Sequence, residues 1–596
     1  MRRSDQLSPF KPLLLISFAA LLVIHPLLAH GVSCGQDLGF HIQSWLDAAT
    51  QLSHWQYPHW AFSPAWNAGE PRFLFYPPLS WLLGALLITV LFPSAAPIAY
   101  IFLCLCGAGF AMYHLARHYV SPNAALLAAA FYLANPYILF CAFERTAFAE
   151  LLAAAWIPLL LLVVLRERPT IRGIAIPIAL LWLTNAPAAV MGCYTFALLA
   201  VIHTIRSFAS PKNVELSQPP APSPVRLAAT YILGTVLGLA LPAYYLIPAA
   251  YERQYVQVAM AIIPNMRVQD NFLFTHTADA AHNAVNHTAS TLALVVLGLT
   301  VITISALLLL RRGATPTSAS DSEQQPAITP ARPDASIPAM LAILTVVITL
   351  LLVPISLPLW LHLPNLQYLQ FPWRLLTILS AVLAFALALL LDRWTLLFKQ
   401  APVIAAIAAL ALTVVGYRLY AQGCDNPDRP STIATLYNTH HGAPPTDEYT
   451  PLAADNDVLR TNDPGYWLAN TANAKAPNTT PTAGELNPSL GTDDTPVPDA
   501  QTLSAPAPTR YLFRLQHPTY LILNLRDYPS WRVVCNGLVL NNHIQRNDGL
   551  LAVLLPAGPS TIDVRWHDTL DQTLGLIISG FAFLLLAAQF FSRSSI

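Results

Sequence analysis

Residues Cys34–Ser80 read CGQDLGFHIQSWLDAATQLSHWQYPHWAFSPAWNAGEPRFLFYPPLS, and they crowd acids, histidines and tryptophans between two apolar runs. Most of the first 420 residues is apolar. A polar, aromatic stretch trapped in such surroundings is where a soluble or lipid-borne ligand would meet the chain. Working outward from it settles the class. With 55% hydrophobic and 10% charged residues and a mean hydropathy of +0.49, the chain departs from a soluble protein, which carries about 25% charged residues. The composition assigns it to a membrane. Its formal net charge is zero, so the clustered basic face of a nucleic-acid partner is not expected.

Upstream, a basic start and an apolar run from Pro12 to His30 read as a signal anchor. About 19 residues at 1.5 Å each cross a hydrocarbon core of about 30 Å, and no small-residue cleavage site follows. Downstream, apolar segments recur near 96–116, 123–141, 147–165, 172–188, 189–205, 227–249, 289–310, 338–360, 374–391, 402–420 and 573–592. Short loops rich in Lys and Arg belong in the cytoplasm. One crossing pattern collects Arg117, Arg166, Arg168, Arg206, Arg226, Arg311 and Arg393 there. It requires segment 77–92 to lie at the interface or re-enter rather than cross, as its two leading prolines and short length allow. The expected architecture is therefore an α-helical polytopic membrane protein of about twelve spans with both termini cytoplasmic. Thr184–Pro187 either separates two short helices within 172–205 or kinks a single long one.

The domain plan follows: a membrane part, 1–420, with an external loop at 31–76 and the re-entrant 77–92; an external linker, 421–508, partly disordered; a β domain, 509–572; and a last helix and tail, 573–596. The linker is Pro-, Thr- and Asp-rich with little periodicity. From Arg510, the runs YLFRLQ, YLILNLR, WRVVCNG, LLAVLLP and STIDVRW alternate with turn signals and predict a small β-sandwich. Of seven cysteines, Cys104, Cys106, Cys141 and Cys193 fall in apolar runs. Cys34, Cys424 and Cys535 fall outside them, and a Cys424–Cys535 bridge is one option.

Candidate functional residues gather at the external rim. Asp37 follows the first helix, where an acid can act as general base, ligate Mg²⁺ or Mn²⁺, or cap the helix starting near Leu38. His41 lies one helical turn on. Asp47, His54 and His59 follow among Trp45, Trp55, Trp60 and Trp66, which read as an interfacial belt ahead of a sugar-stacking platform. Glu70, Arg72 and Tyr76 close the stretch, and Arg72 suits bidentate phosphate binding. Glu144, Arg145 and Glu150 form a second group, in which Arg145 and Glu150 either serve a ligand or pair with each other. Arg374, after Phe-Pro-Trp, holds a lipid phosphate or snorkels to head groups. The spans themselves hold few ionisable residues, unlike a transporter with a midplane site.

Several stretches together, QDLGFHIQSW, NAGEPRFLFYPPLSWLLGALL, FERTAFAELLAAAWIPLLLL, LQYLQFPWRLL, DEYTP and RDYPSWRVVCNG, resemble the bacterial membrane proteins labelled 6-pyruvoyl-tetrahydropterin synthase-related, akin to YfhO-type proteins. More distantly, they are similar to the GT-C superfamily of glycosyltransferases that use polyprenyl-phosphate sugars. The pterin chemistry of the label does not fit, since the chain offers no histidine triad for zinc. The GT-C resemblance implies an active site at the outer face of a bacterial inner membrane. It would use a polyprenyl-phosphate sugar donor and a glycan, lipid or protein acceptor, with the acid of the first external loop, Asp37 by position, as base or metal-associated residue. Where GT-C enzymes commonly carry adjacent paired acids, Asp37 is flanked by Gln36 and Leu38. The alternative is a non-catalytic membrane protein that transports or scaffolds envelope glycans or lipids.

Overall fold

The structure, a computed structural model, describes residues 10–209, 222–312, 336–393, 400–461, 463–476 and 509–591. Of the linker expected at 421–508 to be partly disordered, residues 462 and 477–508 lie outside them. Among the described residues, nine helices are long and apolar enough to cross a membrane, and two bent pairs, Pro224–Ala240 with Ala243–Tyr255 and Ser336–Leu351 with Pro354–His362, raise this to eleven. The chain is a multi-pass membrane protein. The expected count of twelve is reached only by including Ile171–Thr184, whose 14 residues fall short of a span. The Thr184–Pro187 break produces two helices, the second being Ala186–Ala209. Segment 77–92 forms a 13-residue helix, Pro78–Val90, also below spanning length.

Local signals explain the helix ends. Ser121, Thr170 and Ser223 cap their helices through side-chain oxygens that accept backbone N–H bonds, and Pro122 and Pro224 follow at the first helical position, where a missing N–H costs nothing. Asn135-Pro136 breaks the Pro122–Phe143 span: Asn135 is buried, its side chain caps Tyr137 and accepts a hydrogen bond from Ser380 Oγ at 2.9 Å. Packing then uses small residues. Gly234 and Gly238, one turn apart, let the Pro224–Ala240 helix lie on Ile174 and Ile178, and a Cβ at either would come within 3 Å of an isoleucine side chain. The last helix, Leu570–Phe591, presents Leu576, Ile577, Phe581 and Leu584 outward, as a lipid-facing span would.

The C-terminal region holds two antiparallel sheets. Strands β1 (Tyr466–Ala469), β3 (Thr519–Arg526) and β6 (Leu550–Leu555) form one; β2 (Thr509–Leu515), β4 (Trp531–Cys535), β5 (Leu538–Val539) and β7 (Gly558–Trp566) form the other, in the order β2-β7-β4-β5. All five strands read from the sequence are present. Their alternating apolar residues, including Tyr511, Leu521, Leu523, Val533, Val553 and Ile562, meet in one core. Asn536 and Gly537, both at positive φ, make the tight β4–β5 turn. Two features depart from the sequence plan. Strand β1 and the helix Pro430–Asn438 arise within the expected linker, the strand because Trp467 and Ala469 pack against Ile522, Leu550 and Ala552, the helix because Ile433 joins the main core and Tyr437 donates to Thr50 at 2.9 Å.

The second departure concerns the tryptophans, of which Trp45 and Trp60 are buried while Trp55 is exposed. Trp45 and Trp60 are core residues rather than members of a belt. Trp45 stacks on Tyr100 and Phe148 beneath Gly84, whereas Trp60 inserts into the β core among Tyr528, Trp531 and Trp566. The first loop thus joins the membrane helices to the β sandwich.

Candidate active site at the rim of the helices

The segment Ser33–Asp37 is sewn between two distant parts of the chain. Ser33 Oγ donates to the Phe143 carbonyl at 2.6 Å and accepts from Gln422 N at 2.8 Å, while Cys34 forms a disulfide with Cys424. This replaces the Cys424–Cys535 option. Cys535 is instead a buried free thiol within strand β4, where sandwich packing holds it. Next, Gln36 N and Asp37 N donate to the carbonyls of Glu144 and Arg145 at 3.4 and 3.0 Å. Gly35 permits that approach, since a Cβ there would sit 2.3 Å from the Glu144 carbonyl oxygen. Backbone pairing therefore sets Asp37 beside Arg145.

Asp37 stands at the N-cap position of the helix Leu38–Ser53, yet its side chain makes no capping bond. The carboxylate faces Arg145 Nη2 at 4.0 Å, and 46% of its side-chain surface is open. Burial raises its carboxyl above the ordinary value, partly opposed by Arg145 and then Arg374, with Glu150 adding to the rise. Arg145 in turn donates through Nη1 to Glu150 Oε2 at 2.6 Å and lies over the Trp373 ring at 4.9 Å. The residue after it, Thr146, is held at φ +47°, a strained conformation for a β-branched side chain.

Glu150 is the hub. Its Oε2 also lies 3.5 Å from Arg374 Nε, and its Oε1 accepts from Tyr137 at 2.7 Å and Thr377 at 3.2 Å. Arg374 therefore turns inward, stacking on Phe371 at 4.9 Å and donating through Nη1 to the Leu369 carbonyl at 2.9 Å, instead of snorkelling. Its Nη2 has no hydrogen-bond partner among the described residues. One buried carboxylate thus holds two guanidiniums, leaving positive charge beside the half-open Asp37. Of the charged candidates, Asp37, Arg145, Glu150 and Arg374 come together here, whereas Glu70, Arg72 and the Glu144 carboxylate do not.

His41 and Tyr76 adjoin this group. His41 is walled by Phe40, Trp45, Tyr76 and Phe148; burial, then the charges of Arg72 and Arg145, lower its imidazole to about 3. It is neutral at physiological pH and does not act there as an acid. Tyr76 is half-buried against Phe40 and His41, and its phenol is pushed up by burial and then by Asp37. Glu144 points elsewhere: its carboxylate accepts from Gln422 Nε2 at 2.6 Å, so only its backbone serves the site.

Glu70 and Arg72 form a separate, closed assembly. Arg72 donates through Nε to Glu70 at 2.9 Å, through Nη1 to Ser44 at 2.9 Å and through Nη2 to Thr446 at 3.0 Å, while Thr446 N donates back to Glu70 Oε2 at 2.9 Å. Both residues are 1% exposed. The expected phosphate-binding Arg72 is thus a buried tie between the first loop and the segment after Tyr420. Asp47, too, is buried and structural, accepting from Ser63 Oγ at 2.6 Å and from the Phe62 and Ser63 amides.

The donor set does not fit a divalent cation. Mg²⁺ and Mn²⁺ favour several oxygen ligands, whereas Asp37 faces arginines and Glu150 is occupied by them. Among the described residues, no three His, Cys, Asp or Glu side chains assemble as a metal site. Tyr137, Thr377 and Trp373 are site residues that the sequence reading missed. The Asn135-Pro136 break and the Trp beside Arg374 were the available signals.

No family model matches the chain, and no curated protein matches it. Among solved structures it is similar to the arabinofuranosyltransferase AftD from Mycobacteria, at 16% identity and a TM-score of 0.40, over 70% of this chain and 27% of that one. It is also similar to the apo oligosaccharyltransferase of Archaeoglobus fulgidus, at 14% identity and a TM-score of 0.37, over 72% and 58%. A third is ArnT from Cupriavidus metallidurans bound to undecaprenyl phosphate, at 13% and 0.27, over 77% and 93%. The chain thus spans about a quarter of the length of AftD.

Proposed function

We propose that this protein is a membrane glycosyltransferase of the GT-C type, taking a polyprenyl-phosphate sugar at the extracytoplasmic face. The observation that carries the reading is the half-open Asp37 carboxylate set beside Arg145 and Arg374, which Glu150 holds together. Asp37 accepts the proton of an acceptor hydroxyl. The acceptor oxygen forms its bond to the anomeric carbon as the bond from that carbon to the phosphate oxygen breaks, and the phosphate leaves with the electron pair. Arg374, with a spare Nη2, and Arg145 stabilise that departing charge, the contribution that usually dominates such catalysis. Arginines take the place that a metal would otherwise fill. The Cys34–Cys424 disulfide supports an outward placement of this rim, because such bonds persist in oxidising compartments.

Native mass spectrometry of the purified protein with undecaprenyl phosphate tests the clamp. Arg374→Ala should weaken binding about ten-fold or more, the loss of a charge-assisted hydrogen bond, while Asp37→Asn retains it. Equal binding by wild type and Arg374→Ala would overturn the assignment. Lipid binding without transfer from any of a panel of polyprenyl-phosphate sugars would favour a non-catalytic carrier.

A further inference from the structure

Beyond the membrane helices, Asp457, Arg460, Asp463, Trp467 and Asn473 together with the turn Arg546–Asp548 line a half-open cavity of about 870 Å³, which shares no lining residue with the Asp37 site. Its size falls within the range of small-molecule sites, about 300–1,000 Å³. Part of its wall is a closed device. Arg546 is 5% exposed, lies over the Trp467 ring at 5.5 Å, and is gripped on two nitrogens by Asp548 and by the carbonyls of Ala472 and Ala474. That pair contributes shape and no free charge.

Asp463 differs. Its side chain is only 6% exposed and lines the cavity, yet its nearest cation, Arg460 Nε, is 3.8 Å away, and it accepts no hydrogen bond among the described residues. A nearly buried carboxylate without a donor is costly unless something brings one. Burial accordingly raises its carboxyl above the ordinary value. The other polar groups indicate what brings it. Asn473 and Asn547 each donate and accept, the double character that a sugar hydroxyl demands. The lining acids Asp457, Asp463 and Asp548 are balanced by Arg460, Lys475 and Arg546, so the cavity selects neither anion nor cation. An uncharged ligand, rich in hydroxyls and larger than one water, matches this lining.

We propose that this cavity is a saccharide-binding site for a neutral stretch of glycan, held by hydroxyl donation to Asp463 and by the amides of Asn473 and Asn547. Binding stands independently of the transferase reading; that the bound glycan is also the acceptor rests on it. The test uses the full-length protein in detergent, with saturation-transfer NMR and calorimetry against maltotriose, cellotriose and mannotriose. An oligogalacturonate and a chitosan trimer serve as charged controls. At least one neutral trisaccharide should bind saturably, and Asp463→Asn should weaken it about ten-fold or more. Asn547→Ala, at an exposed position that leaves the fold intact, should weaken it in the same direction, and Asp37→Asn should leave it unchanged. No saturable binding by any neutral probe, binding insensitive to both pocket variants, or preference for a charged control would overturn the proposal. Transfer lost in Asp37→Asn with trisaccharide binding intact would separate the two sites; loss of transfer activity alone leaves the pocket result standing.

Discussion

Two ionic assemblies at the membrane rim use the same residue types and end differently. In the Glu70–Arg72 assembly, three guanidinium nitrogens are used by Glu70, Ser44 and Thr446, and water is excluded. In the Asp37–Arg145–Glu150–Arg374 assembly, two arginines share one buried acid, and the second acid is left half open. A closed network holds chain segments together; an open one retains unspent charge for a ligand. Residue type does not distinguish them, but the number of satisfied donors does.

The largest effect that separates them is on turnover. Asp37→Asn should reduce glycosyl transfer by about 10²–10⁴-fold, the usual worth of a general base, with an unchanged melting temperature. Because the base must be ionised and burial raises its carboxyl, wild-type transfer should climb with pH through a limb displaced upward from that of an ordinary aspartate, and that limb should vanish in the variant. Full activity in Asp37→Asn would remove the distinction between the assemblies.

Stability is the next measure. Arg72→Met strands Glu70 and Glu150→Gln strands two arginines, so each should cost about 3–5 kcal/mol in detergent unfolding experiments. Transfer per folded molecule should persist in Arg72→Met and fall sharply in Glu150→Gln. The reverse pattern would exchange their roles.

Asp47 sharpens the comparison through pH. Burial outweighs its bonds from Ser63 and raises its carboxyl to about 6 from 3.8. The folded chain therefore binds this proton more tightly than the unfolded one. Its contribution to stability is fully present below about pH 4 and declines to about pH 6, a loss of about 3 kcal/mol that Asp47→Asn should abolish. Melting temperatures across pH 4–7 would reveal whether that slope is absent in wild type. The smallest effect belongs to the disulfide: Cys34→Ala with Cys424→Ala should slow transfer by less than about ten-fold, since Ser33 and the Asp37 amide still hold the loop. A complete loss would mean that the covalent tie alone positions Asp37.

Much of this was legible along the chain because it depends on near neighbours. Apolar runs about 20 residues long imply spans, alternation after Arg510 implies strands, Asn-Gly implies a tight turn, and ionisable residues kept out of the apolar runs mark the rim. Other assignments depend on partners hundreds of residues away. Arg72 is closed by Thr446, 374 positions on, and Cys34 chooses Cys424 across a separation of 390. Trp60 is core because strands near the C-terminus accept it, and Arg374 turns inward because Glu150 draws it there. The sequence by itself determined that this is a polytopic membrane protein with a β-rich appendage and a charged rim, since hydropathy and periodicity are local properties of the chain. Only the tertiary structure decided which charges are spent and which stay open, because burial and hydrogen-bond satisfaction are set by whatever the fold brings alongside.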